Sequence, residues 1–113
     1  MDYKKISRQL NGDGFWVVNK KIAKNFGIEC AVLLADLISK EKYFEEKNML
    51  TNDGYFFNTV ENIYEDTSIQ KKKQSKLFNI LKQSKFIDIS YRDIPKKRYF
   101  KINHMEIVEF LSK

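Results

Sequence analysis

The longest apolar pattern in the chain begins at Glu29 and runs AVLLADLISKEKYF. Ala31, Leu34, Ala35 and Ile38 fall at i, i+3, i+4 and i+7, and Val32, Leu33 and Leu37 widen the arc. Apolar residues on most sides of a helix predict that it is central, with other elements packed around it. Ahead of it, Asn19 is placed to cap a short helix through residue 24 or 25, which Gly27 ends as a left-handed C-terminal residue. Two short aromatic runs, FWVV at 15–18 and YFFN at 55–58, predict strands that pair with one another. The turns between elements fall at NGDG (11–14) and TNDG (51–54). Residues 1–13 show no periodicity and predict an irregular arm.

The pattern shortens after Thr59. That residue caps a helix over 60–65, with Glu61 and Glu65 outward and Val60, Ile63 and Tyr64 inward. Thr67-Ser68 interrupts it, and Ser68 is available to cap a second helix that runs to about residue 84. Residues 86–91 alternate apolar and polar, 92–97 form a tip with Pro95 where no ladder donor is needed, and 98–103 return as a second strand. HMEIVEFL (104–111) closes as an amphipathic helix. The order helix, turn, helix, strand, tip, strand predicts an α+β fold, mostly α: a winged helix-turn-helix with a C-terminal β-hairpin wing and short N-terminal strands. The expected division is an arm at 1–13 and one domain at 14–113.

Charge is distributed unevenly over these elements. Residues 67–101 hold nine Lys and two Arg against Asp88 and Asp93, a net +9, while the remainder holds ten basic and thirteen acidic residues, a net −3, which together give +6. A cationic region on an otherwise acidic chain points to a polyanion as its partner. On a wheel of the predicted second helix, Ile69, Leu77, Ile80 and Leu81 gather on one side, with Phe78 at the edge of that arc. Lys71, Lys72, Ser75, Lys76, Asn79, Lys82 and Gln83 occupy the other, with no acidic residue among them. Ordinary surface helices mix signs to gain i,i+4 pairs, so like-charge crowding here is best explained by an anion facing it. Lys71, Lys72 and Lys76 are suited to neutralising phosphates, and Ser75 and Asn79, short and central, to reading base edges. Arg92, Lys96, Lys97 and Arg98 would make the wing a second contact, along the backbone or in a minor groove.

Other chemistry finds little support. His104 has no Cys neighbour and is expected to cap the last helix, so no metal or other cofactor is expected. Cys30 is the only cysteine, cannot form an internal disulfide and fits a core position in a reducing, cytoplasmic setting. The carboxylates between Glu41 and Asp66 lack metal-loop spacing and read as solvated surface, so no enzymatic activity is expected. No apolar run approaches the roughly 20 residues that cross a bilayer, and no membrane association is expected.

Several segments carry a family resemblance. GFWVVNKKIAKNFGIECAVLLADL, DGYFFNTVENIYEDTSI, KKKQSKLFNILKQSKFIDI and IPKKRYFKIN, in that order across residues 14–103, resemble the winged-helix N-terminal domain of phage and plasmid replication initiators and replisome organisers, the DnaD-like group. The resemblance implies double-stranded DNA as partner, a role in replication initiation, and a groove-facing helix at Lys71, Lys72, Ser75, Lys76 and Asn79. Gln74 is similar to a frequent mid-helix Gln of that group but lies toward the core side. Such initiators usually continue into a second domain that assembles on DNA or recruits a helicase loader, a partner that stays open for this chain. A homodimer is expected, with Ile107, Val108, Phe110 and Leu111 and the N-terminal aromatics as candidate contacts. Two alternatives share the residues: a transcriptional repressor of the same fold, and a protein-interaction module docking an acidic host partner through the basic face.

Overall fold

A computed structural model describes residues 1–113. Its centre is α3 (Ile28–Glu46), which buries Cys30, Ala31, Leu33, Leu34 and Leu37, as its apolar breadth predicts. Two of its carboxylates are buried as well, and each is partnered, as burial demands. Asp36 accepts the Trp16 indole N–H at 3.2 Å and pairs with Lys40 at 3.2 Å, and Lys40 also pairs with Asp66. Glu41 meets His104 Nε2 at 2.6 Å. The single histidine therefore ties two helices together instead of capping its own.

Helix α2 (Lys20–Phe26) starts where Asn19 Oδ1 accepts the Ile22 N–H at 3.1 Å. Gly27 separates α2 from α3 with φ 96° and ψ 153°, a positive φ as expected but with an extended ψ instead of the left-handed helical one. That conformation is open essentially to glycine, and it lets α3 begin at the next residue. Residues 15–18 do not form the predicted strand: Trp16 is held by Asp36, and Phe15 and Val17 border an apolar groove with Ile22, Leu34 and Ile38. Four apolar residues cannot by pattern alone separate a strand from a strap laid along helices.

The sheet has the order β1-β3-β2 and is antiparallel throughout. Strand β1 (Phe56–Phe57) pairs with β3 (Lys97–Ile102) through Phe56↔Phe100, so its partner is the wing and not residues 15–18. Strand β2 (Ile87–Arg92) pairs along the other edge, from Ile87↔Ile102 to Arg92↔Lys97. Alternation sends Phe56, Phe100, Ile102 and Ile87 into the core, where Phe100 meets Phe78 of the helix below at 5.0 Å between ring centroids. Helix α6 (His104–Leu111) folds back so that Phe110 packs on Phe26 at 5.4 Å and Phe86 at 5.5 Å.

The N-terminal segment is the largest departure from expectation. It forms α1 (Tyr3–Leu10), with Asp2 Oδ1 accepting the Lys5 N–H at 3.0 Å. Tyr3, Ile6 and Leu10 share a face, yet no residue of α1 is buried. The projection leaves a radius of gyration of 15.1 Å, against about 13 Å for a compact domain of this length.

Candidate nucleic-acid interface

Two helices and the hairpin make the surface that the lysine pattern singles out. Helix α4 (Val60–Thr67) is capped by Thr59, whose Oγ1 accepts the Asn62 N–H at 3.0 Å. Ile63 is fully buried, while Tyr64, expected inward, is 40% exposed. Ser68 adopts the left-handed conformation (φ 64°) and its N–H reaches Tyr64 O at 2.8 Å, so it closes α4 instead of capping the next helix. Two residues later Gln70 precedes α5 (Lys71–Gln83) without a side-chain cap bond.

The tie between the two helices is Gln74. Its side chain is 1% exposed, and Nε2 donates to Val60 O at 3.1 Å and Ile69 O at 3.3 Å. One buried amide thereby fixes the start of α4 and the inter-helix turn against α5. Beside it Leu77, Phe78 and Leu81 complete the buried side. The core side is thus centred on Gln74 and Leu81, and Ile80 falls at its margin, half-buried. Ile69, grouped with that side in the sequence, is buried but precedes the helix, and Ile80 gives way to Gln74 at its centre.

Everything opposite that buried side is exposed. At 100° per residue, Lys71, Lys82, Ser75, Asn79, Lys72, Gln83 and Lys76 follow one another over an arc of about 140°. Ser75 and Asn79 sit near its middle, with lysines on both flanks. No carboxylate lies within salt-bridge distance of Lys71, Lys72, Lys76 or Lys82; the α5 lysine that does have an acidic partner is Lys73, 3.8 Å from Glu29 and outside the arc. Lys71 Nζ rests 5.9 Å from the Tyr64 ring, which places that exposed aromatic at the edge of the same surface. Lys82 and Gln83 extend the arc by a further turn beyond the five residues first singled out.

The four wing residues divide into two pairs. Lys96 and Lys97 are exposed at the tip and unpaired by any carboxylate, together with Ile94, whose side chain is wholly exposed. Arg92 and Arg98 are engaged elsewhere. Arg92 grips Asp53 of the 51–54 turn with both terminal nitrogens, at 3.0 and 2.7 Å, and lies 4.2 Å over the Tyr55 ring. Those hydrogen bonds from Arg92, and then one from Thr51, hold the Asp53 carboxyl well below the usual carboxylate range, and in return push the Arg92 guanidinium up. Arg98 alternates onto the core side, with its guanidinium 4.7 Å from the Phe78 ring and 4.8 Å from that of Phe100. Burial lowers its pKa, and its Nε and Nη2 find no acceptor. Sequence spacing gave no sign of this, because a basic residue beside a tip looks the same whichever face it takes.

The expected dimer contacts on α6 also divide. Ile107 is buried and Phe110 packs into the core, leaving Val108 and Leu111 outward. Cys30 is wholly buried, and burial pushes its thiol up to about 11, consistent with a packing role. No group of His, Cys, Asp and Glu is placed to hold a metal ion. No helix is long and apolar enough to cross a membrane.

No protein-family model matches the chain, and no curated protein does. One solved structure, described as the N-terminal domain of a DNA binding protein, superposes with a TM-score of 0.67 at 16% identity, over 97% of this chain and 90% of that one. The likeness establishes the fold: this chain is an α+β domain of winged-helix type.

Proposed function

We propose that this chain binds double-stranded DNA, with α5 in the major groove and the tip of the wing on the flanking backbone. The reading is carried by the uncompensated arc on α5. Lys71, Lys72, Lys76 and Lys82 repel one another with no acidic neighbour to relieve them, and a phosphate backbone supplies the missing countercharge. Ser75 and Asn79 occupy the centre of that arc, where an amide side chain can pair bidentately with adenine. Lys96 and Lys97 add contacts at the tip, and Ile94 offers an apolar surface to a minor groove. Arg92 and Arg98 serve this interface by holding the hairpin in place, through Asp53 and through the Phe78 and Phe100 rings respectively. The likeness to the N-terminal domain of a DNA binding protein supports the same reading.

The finer role we propose is replication initiation in a phage or plasmid context, inside the cytoplasm, as suits the resemblance of residues 14–103 to replisome-organiser domains. Two copies would read repeated or palindromic half-sites about 10 bp apart. The exposed stripe Tyr3, Ile6 and Leu10 and the outward Val108 and Leu111 are the surfaces available to join them. Footprinting across the surrounding genome separates this role from a repressor of the same fold: protection of repeats at an origin supports it, and protection confined to a promoter replaces it. The duplex reading itself is tested by titrating a labelled duplex at several salt concentrations. With six free lysines facing phosphates, log Kd should rise with log salt with a slope of about 5; a salt-independent Kd, or no binding at low salt, ends the proposal.

A further inference from the structure

We infer that the outer face of the three-stranded sheet is a second nucleic-acid surface, built for an unpaired strand. The helices that pack most closely on the sheet, α3 and α5, lie on its Phe100 side, where Phe44 stacks on Phe56 and Phe78 meets Phe100 at a tilt of 34°. Strand alternation turns Phe57, Tyr99, Lys97 and Lys101 to the opposite face, away from α3 and α5, with the start of α6 bordering it at Asp88 and Lys101. Tyr55, just before β1, joins them.

An open face of a small antiparallel sheet is ordinarily polar. Here aromatic rings alternate with cations across the strands. Phe57 and Tyr99 are neighbours across the strands, 5.8 Å between centroids and inclined at 50°. Lys97 Nζ stands 5.6 Å from the Phe57 ring and Lys101 Nζ 5.9 Å from that of Tyr55. Arg92 lies over Tyr55 at 4.2 Å and within 5.6 Å of Tyr99. Single strands are held by this combination: bases stack on the rings while the phosphates between them meet ammonium groups. A duplex has no base faces to offer, so this surface and the α5 arc take different forms of nucleic acid.

The charges on this face set how such a strand is bound. Asp53 is occupied by Arg92 and Asp93 by the Tyr99 hydroxyl at 2.8 Å, which leaves Lys97 and Lys101 free, with Asp88 as the unengaged acid. Two available lysines make the binding stacking-dominated, with a salt slope of only about 1 to 2 in log Kd. Lys97 is common to this face and the proposed duplex contact, but none of the α5 residues belongs to it, so variants of α5 and of the sheet rings separate the two.

Fluorescence anisotropy with oligo(dT) of about fifteen nucleotides, and with an abasic strand of equal length, tests it on the unaltered chain. The abasic strand should bind at least about tenfold more weakly. Phe57→Ala and Tyr99→Ala, singly and together, should weaken oligo(dT) binding while duplex binding, measured on the same samples, stays within about twofold. Phe57→Leu, which keeps the bulk without the ring, should behave as Phe57→Ala does. Reversing Lys71, Lys72 and Lys76 to Glu should abolish duplex binding and leave oligo(dT) binding within about threefold. Absence of oligo(dT) binding at low salt, equal affinity for the abasic strand, or joint loss of both ligands on reversal of the α5 lysines would overturn the inference.

Discussion

On α5 the ammoniums of Lys71, Lys72, Lys76 and Lys82 stand clear of every carboxylate, whereas at the wing Arg92 is clamped to Asp53 and Arg98 lies against the Phe78 and Phe100 rings. Both regions read as basic in the sequence. On α5 every lysine but Lys73 presents its charge free, while at the wing only Lys96 and Lys97 do. The difference follows from geometry: a helix face that points to solvent keeps its side chains free, while a hairpin alternates its residues between a core side and an outer side. Charge count in a segment therefore measures what is present, and the direction of each side chain decides what a partner meets. For this molecule, the wing's arginines hold the hairpin and α5 supplies the field.

The largest effect expected from breaking this contrast is on α5. Reversal of Lys71, Lys72 and Lys76 to Glu should lower duplex affinity by at least about a hundredfold at low salt and reduce the salt slope by about 3. The same band-shift titration on Arg92→Gln should show a far smaller loss, since that guanidinium is already occupied. Next in size is the helix tie: Gln74→Ala removes the donor to Val60 O and Ile69 O and should cost about 1–3 kcal/mol in urea unfolding. Asn79→Ala should leave affinity for non-specific duplex unchanged while the preference for the cognate site falls by about tenfold, measured by competition. The smallest effect concerns pH. Because Arg92 depresses the Asp53 carboxyl, its contribution is complete above the ordinary carboxylate range of about 4 and is lost as pH falls toward the folded value. Thermal midpoints of Asp53→Asn should lie below those of the unaltered chain near pH 7 and converge with them in strong acid.

Much of the fold was legible because its signals are local. The i, i+3, i+4, i+7 apolar set of 31–38, Asn19 and Thr59 as caps, and the alternation through the hairpin all correspond to elements found. What escaped the sequence depends on contacts across the chain. FWVV had strand composition, but its place was decided by Asp36, 20 residues away, which takes the Trp16 indole. Ser68 had a capping side chain and took a left-handed backbone instead, ending α4. Helix α1 was hidden by its mixed charges, although Tyr3, Ile6 and Leu10 do repeat at helical spacing. At the interface the outward residues of α5 were legible although Ile69 and Ile80 are not central to its buried side, because the polar arc is wide. The engagement of Arg92 by Asp53, 39 residues apart, could not be read from either segment alone.

The most direct test of the central claim is amide chemical-shift mapping of the labelled chain during titration with duplex DNA. Perturbed amides should gather on Lys71, Lys72, Ser75, Lys76, Asn79 and Lys82 and at the 93–97 tip, with α1 and α6 outside the contact. Shifts that avoid α5, or that concentrate on the acidic surface while the lysine arc stays silent, would contradict it.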